Sequence, residues 1–366
     1  MTQQPLPRWV RSALPLVFAV AGMVLVLNLI AFGFGQAPLS TLRRAAEGTW
    51  GTPYGIGQVL FKATPLIFTG LAFDVALRAG LFNIGTEGQL AMASLAAGFV
   101  GAKLPAGTPW PIALVVTLAV AAAMGAAFAG LPGWMRARLG IHEIISGIML
   151  NRIADVIVPW VLGVAIASAT LRTGDVAPGA ALSRLERFFP GLKGSAASTA
   201  FPIAVAAAYL VHAWLRRSRA GREIRWTGLG PEACRAEGID VPRRIVQAMV
   251  ISGALAALVM TGTVLGYKGY YELGLGAGAG FSGIAVAKLA RGSPTGIVLA
   301  AVLLGTLEQA GFAINARVPK EAMDVLEAIV IVLVAIGNRA SKAKSTGVTA
   351  HATRAPDPSP TPEASA

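Results

Sequence analysis

Charged residues are scarce in this sequence of 366 residues. Asp, Glu, Lys and Arg make up 13% of it, whereas soluble domains carry about 25%. Hydrophobic residues make up 55%, so the composition excludes an ordinary water-soluble protein. With one cysteine, Cys234, and three histidines, a disulfide framework and a cysteine-rich metal site are excluded as well. We expect no cofactor and no metal.

The sequence also lacks the short motifs of common enzymes. It contains no Gly-x-x-x-x-Gly-Lys-Ser/Thr phosphate loop, no His-Glu-x-x-His pair of zinc ligands and no Gly-x-Ser-x-Gly nucleophile turn. The one adjacent pair of a histidine and a carboxylate is His142–Glu143. Such a pair at the start of an apolar run more often begins a helix than acts as a base. We therefore predict no catalytic residue and no ATP hydrolysis by this chain.

Long apolar runs dominate what is present. Most are near the ~20 residues that a helix needs to cross ~30 Å of hydrocarbon, and several, notably the second, sixth and eighth, are short or broken by Gly and Pro. They predict an all-α, polytopic membrane protein with about ten transmembrane helices over residues 13–338. A cytoplasmic segment 1–12 precedes this domain, and a disordered cytoplasmic tail 339–366 follows it. The runs are 13–35, 58–77, 84–104, 110–134, 144–167, 201–215, 245–265, 277–290, 295–314 and 322–337.

The distribution of basic residues predicts the orientation in the membrane. Residues 216–244 contain eight arginines, whereas the similarly long segment 167–199 contains four basic residues. Cytoplasmic loops carry the excess of Lys and Arg, so we predict that both termini and the 216–244 loop are cytoplasmic. The formal charge of +13 follows from this topology. Because no basic face interleaved with aromatic residues accompanies the charge, we expect membrane lipid and no nucleic acid as a partner.

Two groups of polar residues interrupt the apolar runs. The segment Gly80–Leu90 contains Asn83, Glu87 and Gln89, and polar or irregular backbone at membrane depth is tolerated only where protein or a water-filled cavity satisfies it. Asn151 and Asp155 lie one helical turn apart, so they are expected to share a polar face. These five residues are our candidates for the lining of a translocation path. For Asn83, an equally good alternative is a cap at the start of the third helix.

Other intramembrane residues have a simpler structural interpretation. Asp74 and Arg78 are four residues apart and are predicted to form an ion pair. Small residues in segment 252–257 predict close helix packing. Three tyrosines are predicted to lie at the outer membrane interface, in preference to stacking on a nucleobase: Tyr267, Tyr270 and Tyr271.

The cytoplasmic loop contains a predicted short helix. Proline at the first helical position and glycine just past the end are the expected asymmetry, and a carboxylate near the start suits the helix dipole. For the arginines of the loop taken singly, a solvated basic surface is the better interpretation. The capped helix itself is suited to docking a cytoplasmic partner, and its candidate residues are Pro231, Glu232, Ala233, Arg235, Ala236, Glu237 and Gly238.

Three segments together resemble a known family. They are Gly80–Leu90, Gly140–Asn151 and Gly230–Arg244, the last followed by Ser-Gly-Ala-Leu-Ala at 252–256. The chain resembles the permease subunits of bacterial ATP-binding cassette (ABC) importers, in the branch for simple sugars and branched-chain amino acids, and within it the nucleoside-type permeases. The resemblance runs from about residue 63 to 337, and its string Gly-Leu-Phe-Asn-Ile-Gly-x-Glu-Gly-Gln is highly specific.

The resemblance implies a division of labour. A periplasmic or lipoprotein substrate-binding protein delivers the solute, two permease subunits, here predicted to be a heterodimer, form the path in the bacterial inner membrane, and cytoplasmic ATPase subunits engage the short helix. The alternative is an ion-coupled secondary transporter, with Asp74, Glu87 and Asp155 as coupling sites. A second glycine-rich segment, Gly274–Gly283, echoes Gly80–Leu90 and points to an inverted repeat.

Overall fold

The computed structural model describes residues 21–315 except 23, 27, 30 and 291, together with positions 325, 328, 329 and 332. Throughout these described residues the chain is helical or irregular, with two isolated β-bridges and no longer strand. The all-α prediction is therefore confirmed for this part of the chain. The predicted termini 1–12 and 339–366 lie outside the described residues, as do nearly half of the first predicted span and most of the last.

The helices are labelled here α1 to α11 in chain order. Two of them, α5 and α9, are followed by π-helical segments, Val161–Ala165 and Thr261–Lys268. Residues 21–33 are also helical at each position that is described. The bounds of α1 to α11 are Pro38–Thr49, Pro53–Arg78, Thr86–Lys103, Trp110–Leu139, Glu143–Trp160, Ala200–Arg217, Arg219–Leu229, Pro231–Ala236, Val241–Ala257, Ala279–Ala290 and Pro294–Ile314.

Fewer helices than expected are long and apolar enough to cross a membrane. Among the described residues there are 5 of them, namely α2, α4, α5 and α9 with their π-helical segments, and α11. The prediction of about ten spans is thus not confirmed. α3 and α6 have 18 residues each but are less apolar. α10 has only 12 residues, and at about 1.5 Å per residue it is too short to cross the hydrocarbon.

The central helix of the bundle is α2. Every residue from Ala63 to Ala76 is buried, which fits a helix that is apolar all round. The prediction that this run is short or broken is wrong, because α2 continues for 26 residues through Pro65. Tertiary packing on every side offsets the backbone hydrogen bond that proline removes. Asp74 and Arg78 form the predicted ion pair at its end, with 2.8 Å between Oδ2 and Nε.

Small residues bring α4 and α9 into close contact. Along α4 every fourth residue from Ala113 to Ala129 is buried, and each is Ala, Thr or Gly. A side chain at Gly253 of α9 would overlap the carbonyl oxygen of Gly125, so the two backbones touch there. The predicted close packing of segment 252–257 is confirmed. Between these positions α4 also carries exposed apolar side chains, such as Val115.

The long segment between α5 and α6 folds over one end of the bundle. It contains short 3-10 turns, and its Thr173 donates a backbone hydrogen bond to the carbonyl oxygen of Tyr271 (2.8 Å). Tyr271 is only 2% exposed as a result. The prediction that Tyr271 is an interfacial aromatic is therefore wrong, since the segment over it removes its ring from the surface.

Candidate functional site

The α2–α3 loop, residues 79–85, is the first break in the bundle. α2 ends where Gly80 has a φ of 77°, a left-handed conformation that glycine adopts without strain. α3 then begins at Thr86, and its N-cap residue Gly85 has no side chain to accept a hydrogen bond. The first N–H groups of α3 consequently need acceptors from elsewhere in the protein.

Asn151 of α5 supplies one of these acceptors. Its Oδ1 accepts a hydrogen bond from the N–H of Gly88 (2.9 Å), and its Nδ2 donates to the carbonyl oxygen of Ile84 (3.0 Å). The residue is buried, so water does not compete for these bonds. Asn151 thus caps α3 from a neighbouring helix, a role that Asn usually performs at the start of its own helix.

Glu87 caps a second helix in the same way. Its two carboxylate oxygens accept hydrogen bonds from the N–H groups of Gly278 (2.6 Å) and Gly280 (2.9 Å), at the start of α10. A negative charge at a helix N-terminus is favoured by the helix dipole. A Cβ at position 280 would lie 2.6 Å from the backbone nitrogen of Glu87, so glycine is required for this approach. The two glycine-rich segments of the sequence therefore meet at Glu87.

Asn83 and Gln89 form a closed amide pair. Each side-chain nitrogen donates to the other's oxygen, at 3.0 and 2.9 Å. Asn83 also donates to Oγ of Ser252 on α9 (2.8 Å), which in turn donates to the carbonyl oxygen of Ala72 on α2 (2.6 Å). All three polar side chains are buried. The alternative in which Asn83 caps α3 is wrong, because its side chain instead ties α2, α3 and α9 together.

Glu143 holds the middle of the α2–α3 loop. Its Oε1 accepts the N–H of Phe82 (3.1 Å), and its Oε2 lies 3.4 Å from Nε of Arg136 at the end of α4. The preceding His142 is the N-cap of α5, and its ring accepts the N–H of Ile144 (3.4 Å). The interpretation of His142–Glu143 as a helix start is thereby confirmed.

Asp155 lies in different surroundings from Asn151. Its side chain is 59% exposed and pairs with Arg152, which is 80% exposed, with 3.2 Å between Oδ2 and Nη1. Asn151, one turn earlier, is buried against α3. The prediction that the two residues share one polar face is therefore wrong. An offset of four residues turns about 40° around a helix, and α3 packs over Asn151 but leaves Asp155 exposed.

The predicted cytoplasmic helix is present as α8. Pro231 occupies its first turn, Glu232 and Arg235 form an ion pair on its surface, and Gly238 follows it with a φ of 74°. α8 lies beside α7, and the two helices border a cleft of about 810 Å³. Trp226 and Leu229 line this cleft and are strongly exposed.

Sequence reasoning missed Glu223, which anchors α7. This buried carboxylate accepts hydrogen bonds from Nε of Arg219 and Nε of Arg244, both at 2.7 Å. The hydrogen bond from Arg219, supported by the one from Arg244, lowers the pKa of Glu223. The spacing of Arg219 and Glu223 is the usual one for a helical pair. No local pattern indicates the contact with Arg244, which begins the next membrane helix.

A helical bundle that breaks and caps its own helices in its interior, with long apolar helices around them, is typical of polytopic membrane transport proteins. Residues 55–335 match the family model described as "Branched-chain amino acid transport system / permease component". The chain belongs to this family of permeases.

Curated relatives agree along most of the chain. A guanosine ABC transporter permease protein of Bacillus subtilis is 34% identical, over 88% of this chain and 92% of that protein. A nucleoside ABC transporter permease protein of Lactococcus lactis subsp. cremoris is 31% identical, over 88% and 90%. A glucose ABC transporter permease protein of Haloferax volcanii is 28% identical, over 90% and 88%.

The chain is accordingly a multi-pass membrane permease of an ABC transporter. This confirms the predicted family and the prediction that the chain transports and is not an enzyme. ABC permeases work with ATPase subunits, which hydrolyse the ATP, and with substrate-binding proteins. The family membership favours this function over the alternative of an ion-coupled secondary transporter. That alternative requires three carboxylates as coupling sites. Each of them has an ion-pair or hydrogen-bond partner in the structure: Asp74, Glu87 and Asp155.

Replacing Asn151 by Leu is expected to destabilise the protein. The change leaves the Gly88 N–H and the Ile84 carbonyl without partners in a buried place, which costs about 1–3 kcal/mol. Unfolding of the purified protein in mild detergent, followed by circular dichroism, measures the loss. Asp155→Asn, one turn along the same helix and exposed, is the matched control and is expected to change stability little. Equal stability of the two variants would contradict the capping role of Asn151.

Proposed function

We propose that this permease carries a nucleoside or a related simple sugar into the cell. The observation that supports a transport path is that the starts of two helices, α3 and α10, meet at Glu87. Transporters commonly place discontinuous helices beside the path. The solute class is supported by the relatives, two of which are named for nucleosides or guanosine and one for glucose.

The exposed face of α5 is the proposed wall of the path. It presents apolar side chains such as Met149 and Val156, and between them the ion pair of Arg152 and Asp155. Charged side chains facing lipid are costly, and intramembrane ions normally face water or protein. This face is therefore suited to a water-filled path that a second permease subunit closes. The framework that positions α3, α5 and α10 next to this face consists of Asn83, Glu87, Gln89 and Asn151.

A second permease subunit completes the proposed assembly, which we expect to be a heterodimer. The proposed location is the bacterial inner membrane, and the eight arginines of residues 216–244 support a cytoplasmic position for this loop and both termini. A periplasmic or lipoprotein substrate-binding protein would then deliver the solute to the opposite face. This topology puts α8 and the cleft beside it on the side where ATP is available.

The α8 helix is the proposed contact for the ATPase. It projects between α7 and α9 with an exposed ion pair on its surface, and the adjoining cleft exposes Trp226 and Leu229. Exposed apolar side chains next to charged ones are typical of docking surfaces. ATP-driven closure of the ATPase pair would push on α8, and through it on the membrane helices.

Uptake by the reconstituted complex tests the function. Proteoliposomes that contain both permeases and the ATPase, supplied with the binding protein, are expected to accumulate labelled guanosine or glucose only with internal ATP. The control is this chain reconstituted alone, which should not accumulate solute. Concentrative uptake by the chain alone, or uptake that survives ATP depletion and collapses with an uncoupler, would contradict the proposal.

Labelling of a cysteine at position 155 tests the path. In a background with Cys234→Ser, an Asp155→Cys thiol is expected to react with a membrane-impermeant, water-soluble thiol reagent, because water reaches the path. The control is Val115→Cys on α4, which is similarly exposed but belongs to an uncharged apolar face. Both variants must first show uptake. Reaction at 115 and none at 155 would place lipid against α5.

Leu229→Asp tests the docking surface. A carboxylate in this apolar position is expected to weaken co-purification of the ATPase, while the permease remains in the membrane. Leu139→Asp is the control, since Leu139 is also an exposed leucine and ends α4 outside the loop. Deleting residues 232–237 should abolish co-purification altogether. If the Leu229→Asp variant and the deletion variant both still co-purify with the ATPase, the assignment of α8 and its cleft as the docking surface is refuted.

A further inference from the structure

The last turn of α7 rests directly on the end of α2. A Cβ at Gly228 would overlap the carbonyl oxygen of Arg78 and lie 2.7 Å from the backbone nitrogen of Gly80. Seen from the other side, a Cβ at Gly80 would lie 3.4 Å from the Cα of Gly228. The two glycines therefore place backbone against backbone, with no flexible side chain between them.

The helix on one side of this contact is held firmly. Glu223, five residues before Gly228, accepts hydrogen bonds from Arg219 of its own helix and from Arg244 of α9. A further bond joins Oγ1 of Thr227 to the carbonyl oxygen of Glu223 (2.8 Å). α8 follows after the single residue Gly230. A force on α8 is thus passed to the end of α7 without being absorbed by loose chain.

The loop on the other side of the contact is linked to four further helices, α3, α5, α9 and α10. Phe82 bonds to α5 through Glu143, and Asn83 bonds to α9 through Ser252. The loop continues into α3, where Glu87 holds the start of α10. Closely packed protein transmits displacement because it is not compressible. A shift of Gly80 consequently moves the framework behind the proposed path.

We propose that Gly228 is a positioning residue, which passes the movement of α7 and α8 to the α2–α3 loop through its contact with Gly80. The inference rests on the proposed function, in which the ATPase acts on α8. In this proposal one backbone contact transmits the movement of the cytoplasmic helices to the membrane helices. The ion pair of Glu223 with Arg244 would serve to hold α7 in place for that contact.

Gly228→Ala tests the contact in the assembled transporter. The methyl group forces α7 away from α2, so the variant is expected to bind the ATPase and hydrolyse ATP while most solute uptake per ATP is lost. Gly230→Ala is the matched control two residues later, where the new Cβ would lie 3.8 Å from Cβ of Ala233, an ordinary contact distance. Full coupling in Gly228→Ala, at normal expression and melting temperature, would overturn the inference.

Hydrogen exchange on the unaltered complex provides a test that does not depend on folding of the variant. A non-hydrolysable ATP analogue is expected to change amide exchange in residues 231–237 and also in residues 79–85. A change in 231–237 alone would overturn the role of Gly228 and leave the proposed function intact. If the ATPase does not associate with the chain, or the analogue changes neither segment, the proposed function fails, and the inference with it.

Discussion

The structure depends on the capping of two helix starts by side chains from other helices. α3 and α10 both begin in glycine-rich backbone, and the N-cap residue of α3, Gly85, has no side chain to accept the first N–H groups. Inside a membrane these groups find no water, and each one left without a partner costs several kcal/mol. Asn151 and Glu87, each of which lies far in the sequence from the helix start that it caps, accept hydrogen bonds from them. The arrangement of α3, α5 and α10 follows from these bonds.

The buried polar residues and the exposed ion pair have different parts in this design. Asn83, Gln89 and Ser252 satisfy one another and the backbone of α2, so they have little capacity left for a solute. Arg152 and Asp155 pair with each other and are exposed. A polar residue in a membrane helix can thus either hold neighbouring helices together or line a path. In the first case its side chain is bonded to the neighbouring helices, and in the second it is exposed.

The sequence predicts those features that depend on local spacing. Four such features are found: the ion pair of Asp74 and Arg78, the helix that starts at His142–Glu143, the short helix that starts at Pro231, and the close packing of the small residues of segment 252–257. What it could not predict depends on long-range packing. Pro65 does not break α2, Tyr271 is covered by a distant segment, and Glu87 bonds to residues 191 and 193 positions away. No spacing rule reports such contacts, and the same is true of Gly228 on Gly80.

The cap on α10 also bears on how the protein is made. Glu87 precedes Gly278 by 191 residues, so the acceptor for the start of α10 leaves the ribosome long before the helix that needs it. With only 12 residues, α10 is too short to span the bilayer, and two N–H groups at its start bond to Glu87. These two hydrogen bonds can form only when α3 is present. During synthesis α3 is therefore made before the helix start that Glu87 caps, and α10 completes these hydrogen bonds on a helix that precedes it in the chain.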